Sequence, residues 1–293
     1  MANRALEFGV VMISSGCTPE QWKVKCRRAE DLGYDVIGVP DHLNLMSPFP
    51  SAVLAGAATT RARIATYVVN SNLYNRALLA RDIATTDLLL DGRLELGLGT
   101  GYVEREFEAA GIPFGTPADR VAGLESAVTG LEELLGAEDS PLPVQRPRPP
   151  LVVGGHGKRV LRLAAHEAEV VSFTGAPFRP EFGRTGLVDA PALRERVGFV
   201  RRECAGRTAP PVFNVLSKQT VLTTDRRAAA AELGRYAPDL GVDQLLEVPT
   251  LFIGTARQIA EQLHRHSEDF GITYFTVMEP ALEDFAKVIE QVR

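Results

Sequence analysis

The sequence predicts an α/β fold, a (β/α)8 TIM barrel in which eight parallel strands alternate with helices. Strand-like apolar runs and helix-like amphipathic runs alternate along almost the whole chain. The chain has 293 residues. A single barrel commonly uses about 250, so residues 1–293 are expected to form one domain. Eight units follow one another without a break, which favours a closed barrel over the alternative, an open doubly wound sheet.

The first four predicted units are separated by clear helix signals. Thr18-Pro19-Glu20-Gln21 is typical of a helix start, with Thr18 as the N-cap and Gln21 completing a capping box. Asn75 begins a long helix with apolar residues at helical spacing. The predicted elements are strand 8–13, a helix from 18, strand 35–40, helix 50–60, strand 63–69, helix 75–90, strand 93–98 and helix 117–135.

The second half begins after a proline-rich connection, residues 136–149, which has no periodicity. Asp225 and Thr255 are each expected to cap a helix. The predicted elements are strand 151–153, helix 158–165, strand 170–173, helix 191–204, strand 212–222, the two capped helices, strand 272–277 and helix 282–292.

Composition narrows the class of partner. The net charge of −5 and a pI near 5.7, without a basic cluster, argue against nucleic acid or an anionic membrane surface. Cys17, Cys26 and Cys204 lack metal-ligand spacing, and no apolar run has the length of a signal core or a membrane span. We therefore expect a cytoplasmic protein with reduced thiols and a small-molecule or modified-peptide substrate.

The most informative stretch is DGRLELGLGTGYVEREFEAAGIPF, residues 91–114. A buried strand runs into Gly99-Thr100-Gly101, where the missing Cβ atoms let a flat ring or a phosphate approach the backbone. Such a turn alone is also common without a ligand. Other strands end in His42, in Gly155-His156-Gly157 and in Thr174. In a barrel these ends share one face, so they favour a single site there.

These residues, taken together, closely resemble the luciferase-like oxidoreductase superfamily, and most of all its branch that uses coenzyme F420, a deazaflavin. The resemblance implies a TIM barrel, commonly homodimeric, with a flavin or deazaflavin at the strand ends. It implies hydride transfer at C5 of a deazaflavin, or oxygen activation by a reduced flavin. The stretches that carry it, besides residues 91–114, are 39–43, 63–89, 149–173 and 253–277.

The resemblance makes His42 the catalytic candidate, beside the reactive face of the ring. Imidazole suits this role because it can exchange a proton near neutral pH. Alternatively, His42 caps the neighbouring helix or bonds Asp41, which is expected to orient this loop. Glu106 or Glu108 is expected to make structural ion pairs rather than to take part in catalysis.

The other implied cofactor-binding residues fall into three groups. Tyr67-Val68 matches a bulge behind the ring, where the F420 branch often has a non-proline cis peptide. Gly99, Thr100, Gly101 and Tyr102 match the segment along the ring and ribityl chain. The phosphate end is matched by Gly154, Gly155, His156, Gly157 and Thr174, where helix-start amides favour an anion.

Departures from the family pattern bear on the substrate. The sugar-phosphate dehydrogenase branch carries tryptophan and glutamate where this chain has Met46 and Tyr102, which places that substrate class in doubt. Bacterial luciferase has an arginine near Thr100, and its absence weakens the case for FMN. We expect an F420-dependent oxidoreductase that reduces an activated C=C or C=N bond.

Two alternatives stay open. An FMN-dependent monooxygenase would draw reduced flavin from a separate cofactor-reducing enzyme. A barrel that binds flavin without catalysis, or a metal-dependent hydrolase, is the third class. The hydrolase is disfavoured because only Asp41, His42 and His156 could act as ligands at the strand ends.

The segment before the fifth strand suggests an open site. Residues 136–149 include four prolines, and we expect them to be too short and stiff to cover the barrel mouth. An open mouth would suit a bulky substrate, such as a natural-product intermediate or a modified peptide. The alternative is that residues 175–189 form the lid.

Overall fold

Eight parallel strands close into a barrel in the computed structural model, which describes residues 5–137, 143–174, 178–179 and 184–293. Each strand pairs with the next, and β8 pairs with β1. The (β/α)8 fold is therefore confirmed. The barrel strands are β1 Glu7–Val11, β2 Val36–Val39, β3 Arg63–Thr66, β4 Leu94–Gly99, β5 Leu151–Gly155, β6 Val170–Phe173, β7 Val212–Leu216 and β8 Ile272–Met278.

Helices surround the barrel, and the capping box predicted at Thr18 and the cap predicted at Thr255 are both formed, the latter also as a capping box. Among the described residues, no helix combines the length and apolar character needed to cross a membrane. The helices are α1 Pro19–Asp31, α2 Pro48–Ala58, α3 Arg76–Leu89, α4 Glu104–Ala109, α5 Pro117–Thr129, α6 Leu131–Leu135, α7 Lys158–Glu167, α8 Ala190–Glu203, α9 Arg226–Leu233, α10 Val242–Leu246, α11 Ala256–Phe270 and α12 Leu282–Val292.

The predicted strand 212–222 is wrong as a single element. After β7 the amide of Ser217 still donates to the Thr276 carbonyl in β8, at 2.8 Å, but the next amide, of Lys218, donates to the Thr250 carbonyl, at 2.8 Å. The chain thus leaves the barrel, and strand Gln219–Leu222 pairs in parallel with Leu251–Gly254 outside it.

Two other predicted elements are also interrupted. The strand predicted at 63–69 stops at Thr66 and resumes as a two-residue strand, Val69–Asn70, beyond the Tyr67–Val68 peptide. The helix predicted over 117–135 breaks at Gly130, which ends α5 and precedes α6.

A second hydrophobic core lies in the excursion between β7 and α11. Its buried members form what we call the satellite cluster: Ala230, Ala237, Leu245, Val248, Leu251 and Ile253. The main core is separate and fills the space between the strands and the helices, with Phe8, Trp22 and Phe285 among its fully buried side chains. Because the excursion follows the carboxyl end of β7, the satellite cluster lies on the side of the barrel where a site is expected.

Candidate active site

A cavity of about 800 Å³ lies at the carboxyl ends of the barrel strands. All the predicted site residues except Gly157 line it; they are Asp41, His42, Tyr67, Val68, Gly99, Thr100, Gly101, Tyr102, Gly154, Gly155, His156 and Thr174. Gly157 is the N-cap of α7 and lies next to the lining residue His156. The sequence thus identified one connected set of positions, whose roles stay predictions.

His42 is held by a buried carboxylate. Its Nδ1 lies 3.0 Å from Oε1 of Glu106, which also accepts the Leu43 amide at 3.3 Å. Since an ionised carboxylate can only accept, this bond places a proton on Nδ1 and leaves Nε2 to exchange a proton. The Tyr102 ring meets the imidazole edge to face, with centroids 6.0 Å apart.

Asp41 has a different partner. Its Oδ2 accepts the Asn70 amide at 3.0 Å, which joins the loops that follow β2 and β3. Burial raises the pKa of the Asp41 carboxyl, and the bond from Asn70 opposes that shift. The alternative in which His42 bonds Asp41 is therefore not what the structure has, since His42 pairs with Glu106.

The Tyr67–Val68 peptide is cis, as the resemblance implies. The Tyr67 hydroxyl points into the barrel, where it donates to Asn214 Oδ1 at 2.8 Å and lies 3.1 Å from Ser172 Oγ. Burial raises the pKa of Tyr67 to about 12, so it stays neutral. Val68 packs on Gly99 so closely that a Cβ there would lie 2.6 Å from Val68 Cγ2. This contact requires glycine at position 99.

Two asparagines hold the glycine turn, and sequence reasoning missed both. Asn72 Nδ2 donates to the carbonyls of Thr100 and Arg120, each at 3.0 Å. Gly101 has a φ of +66°, and a Cβ there would lie 2.2 Å from Asn70 Nδ2. Their position just beyond the cis peptide, close to a strand end, was the available signal.

The opposite end of the cavity is electropositive. Helix α7 begins at Lys158 with no side-chain cap and no acidic residue in its first turn. Burial lowers the pKa of His156, and the positive charges of Arg196 and Lys218 lower it further. Arg196 also contacts the Thr174 carbonyl, at 3.5 Å. Uncapped amides and nearby cations suit an anionic group.

A third part of the lining is apolar and was not predicted. Leu187, Leu233 and Leu251, which we call the leucine wall, come from segments outside the barrel strands. Leu251 belongs to the satellite cluster, and the other two pack against it. Leucines are so common in cores that no motif distinguished these three. Lys218 was marked only by the polar interruption Ser217-Lys218-Gln219 in an apolar run.

Two predictions about covering loops fall partly outside the described residues. In the short connection 136–149, the structure does not describe residues 138–142. In the alternative lid 175–189, it does not describe residues 175–177 and 180–183. Leu187, near the end of the second segment, lines the cavity. Within the described ranges, no group of three or more His, Cys, Asp or Glu side chains could hold a metal ion.

Known proteins with similar sequences indicate one family for this chain. The family described as luciferase-like monooxygenase matches residues 25–232. An F420-dependent glucose-6-phosphate dehydrogenase of Kribbella flavida is 30% identical over 233 residues, which are 72% of this chain and 67% of that protein. A protein of the same name from Nakamurella multipartita is 27% identical over 254 residues, covering 79% and 72%.

Solved structures show the same fold at low identity. An F420-dependent secondary alcohol dehydrogenase, in complex with an F420-acetone adduct, superposes with a TM-score of 0.74 at 18% identity, covering 99% of this chain and all of that one. A coenzyme F420-dependent tetrahydromethanopterin reductase of Methanopyrus kandleri gives 0.73 at 15% identity, with 98% of both chains covered. The oxygenating constituent of a Pseudomonas putida 3,6-diketocamphane monooxygenase, with FMN, also gives 0.73, at 16% identity, covering 99% and 98%.

Proposed function

Because the chain belongs to the luciferase-like monooxygenase family, we propose that it is an F420-dependent oxidoreductase. It transfers hydride between C5 of the deazaflavin and an organic substrate, and it reduces an activated C=C or C=N bond. The observation that carries the proposal is the single cavity that joins the His42–Glu106 pair to an electropositive end. The first supplies a proton donor, and the second suits a cofactor with an anionic tail.

The residues present fit such a cofactor. Gly99 and Gly101 bring bare backbone to the cavity wall, where Cβ atoms would clash with Val68 and Asn70. At the other end, a Cβ on Gly157 would meet nothing within 4 Å, which leaves the start of α7 open to a phosphate. Val68 and the Gly99–Gly101 turn would hold the ring, and His156 and Thr174 the phosphate. When bound, the deazaflavin supplies or accepts the hydride.

The chain's own part in the reaction is proton transfer and orientation. Reducing a C=C or C=N bond adds a hydride to one atom and a proton to the other. Protonated His42 donates that proton from Nε2 and returns to neutral imidazole, while its Nδ1–H stays bonded to Glu106, which fixes the ring. Glu106 is itself fixed by the Leu43 amide. Neutral imidazole would accept a proton in the reverse direction.

The substrate is not expected to be a sugar phosphate. Tyr102, which is half exposed beside His42, takes the place of a glutamate found in the dehydrogenase branch, and Met46 takes the place of a tryptophan. The phenol of Tyr102 lacks the negative charge of the lost carboxylate, and the thioether of Met46 lacks the N–H of the lost indole. We therefore propose a bulky organic substrate, such as a natural-product intermediate or a modified peptide.

Cofactor titration tests the proposal most directly. Purified protein is titrated with F420 and separately with FMN, and binding is followed by fluorescence. We expect F420 to bind at least about ten times more tightly, a difference of about 1.4 kcal/mol. Equal or stronger affinity for FMN would replace this assignment with a luciferase-like monooxygenase that uses reduced flavin and oxygen.

The proposal includes a homodimer, the assembly that the resemblance implies. Leu78, Leu88 and Leu89 on α3 are each at least half exposed, which leaves an apolar surface on that helix. Light scattering coupled to gel filtration is expected to give twice the chain mass of 31.8 kDa. A mass of one chain at micromolar concentration would reject the dimer without affecting the proposed activity.

A further inference from the structure

We infer that the leucine wall, Leu187, Leu233 and Leu251, binds an apolar, hydrocarbon-rich body of the substrate. This inference rests on the proposed function, because it concerns the substrate of the same site. It names the chemical class: a conjugated carbonyl or imine compound with an alkyl or alicyclic body, rather than a polar sugar or an anionic peptide.

The first support is where the wall comes from. None of the three leucines lies on a barrel strand: Leu187 precedes α8, Leu233 ends α9, and Leu251 begins the strand that pairs with Gln219–Leu222. Leu251 belongs to the satellite cluster, and Leu187 and Leu233 pack against it. The wall is therefore supported from behind rather than by the groups that line the rest of the cavity.

The second support is the division of the lining. The cofactor candidates lie at or just beyond the carboxyl ends of β2 to β6 and, apart from Val68, are glycines, hydroxyl-bearing residues, a histidine and one carboxylate. The lining from β7, β8, the excursion and the segment before α8 adds Leu216 and Met278 to the three leucines, and its polar members are the consecutive residues Ser217, Lys218 and Gln219. A flat cofactor held by the first half leaves the second half to face the substrate.

The third support is energetic. Polar hydroxyls placed against leucine would lose their hydrogen bonds to water without replacement, which disfavours a sugar. Each methylene placed there leaves water, a gain of about 0.8 kcal/mol or about fourfold in affinity at 25 °C. Gln219 at the edge of this half allows one polar group on the substrate, without making it the main contact.

A ligand series tests the inference without turnover. The 2-alkanones from 2-hexanone to 2-decanone are titrated into the F420-loaded protein, with binding followed by calorimetry. We expect the dissociation constant to fall by two- to fourfold per methylene up to the size of the cavity, and glucose 6-phosphate to bind more weakly than 2-octanone. Flat affinity along the series, or tighter binding of glucose 6-phosphate, would overturn the inference.

Two variants of the wall and one control variant locate the effect. Leu233→Ala and Leu187→Ser remove side chains from the wall, and each is expected to weaken 2-octanone binding by about tenfold. Leu246→Ala is the matched control, because Leu246 also packs on the satellite cluster but does not line the cavity. Its affinity is expected to stay within twofold of wild type. Equal losses in all three variants would mean a purely structural role for the wall and would reject the inference.

The matching conjugated ketones, 3-alken-2-ones, separate this inference from the proposed function. Their reduction with reduced F420 is expected to show KM falling with chain length in the wild type and much less in Leu233→Ala, with kcat changed less than threefold. Weak F420 binding in the cofactor titration would contradict the proposed function. Tight F420 binding together with a KM that does not depend on chain length would contradict only the proposed role of the leucine wall.

Discussion

Two histidines line the same cavity, and their surroundings are opposite. His42 donates from Nδ1 to Glu106, a buried carboxylate that also accepts a backbone amide. His156 is exposed to solvent, and its charged neighbours are cations, Arg196 and Lys218, which together with partial desolvation lower its pKa. Histidine therefore has two different settings in this cavity. His42 is held in position for proton exchange, whereas the cations beside His156 favour its neutral form.

The difference indicates how one cavity separates two tasks. A carboxylate beside imidazole stabilises the imidazolium that forms when a proton moves, so His42 suits a step in which charge develops. Cations beside imidazole disfavour its own charge but leave a positive field for a bound anion. Damage at the first end is expected to affect turnover, and damage at the second to affect binding.

The largest effect is expected from His42→Ala. Turnover of a 3-alken-2-one with reduced F420 should fall by about 10²–10⁴, the usual contribution of a positioned proton donor. The F420 dissociation constant should change by less than about threefold, because binding is assigned to the other end. Steady-state kinetics and fluorescence titration give the two numbers. Unchanged turnover would remove His42 from the mechanism.

Glu106→Gln should have the next largest effect. The amide keeps an oxygen that can accept from His42 and Leu43 but loses the charge that stabilises imidazolium, so kcat is expected to fall by roughly 10–100-fold. In the double variant with His42→Ala, the loss should not exceed that of His42→Ala alone, since Glu106 acts through His42. If the loss in the double variant equalled the product of the two single losses, Glu106 would act independently of His42.

At the other end, Lys218→Ala is expected to weaken F420 binding by about tenfold, the scale of one charge-assisted contact. Turnover at saturating F420 should stay within about threefold of wild type. Titrations at 50 and 300 mM salt provide a second measure, because removing a cation should reduce the salt dependence. If kcat fell while the dissociation constant stayed the same, the division between the two ends would be wrong.

The smallest effect concerns pH. The pKa of His156 is lowered in the unliganded protein, and a bound anion should raise it, so F420 binding takes up a proton. By linkage, F420 affinity should then rise as pH falls from 8 to 6, by roughly threefold. His156→Gln should flatten the profile. An equal slope in this variant would assign the pH dependence to another group, and rising affinity with rising pH would contradict the sign.

The sequence predicted the barrel because its evidence is local: apolar periodicity, Thr18 and Thr255 as caps, and glycines where chains turn. It could not predict the break after β7. The chain leaves the barrel there because the Ser217 amide donates to the Thr276 carbonyl, whereas the next amide, of Lys218, donates to the Thr250 carbonyl. Those partners are distant in the chain, and no local pattern encodes them.

The candidate site divides in the same way. Its glycines and histidines could be located because all strands of a barrel present their carboxyl ends to one face. Glu106 was expected to make an ion pair, but the identity of its partner, His42, needed the path of α4. Leu187, Leu233 and Leu251 were beyond prediction, because separate segments bring them together and their residue type is common in any core.

The satellite cluster has a consequence for how this enzyme can diverge. It packs around its own interior, and its segment leaves the barrel at Ser217 and reaches α11 after Thr255, whereas His42 follows β2 and Glu106 lies on α4. Substitutions on the leucine wall can therefore accumulate without disturbing His42 or Glu106. Exchanging residues 217–254 between paralogues would replace Leu233 and Leu251 together and leave Leu187 in place, so a duplicated gene could alter its substrate preference largely through this one segment while the barrel is conserved.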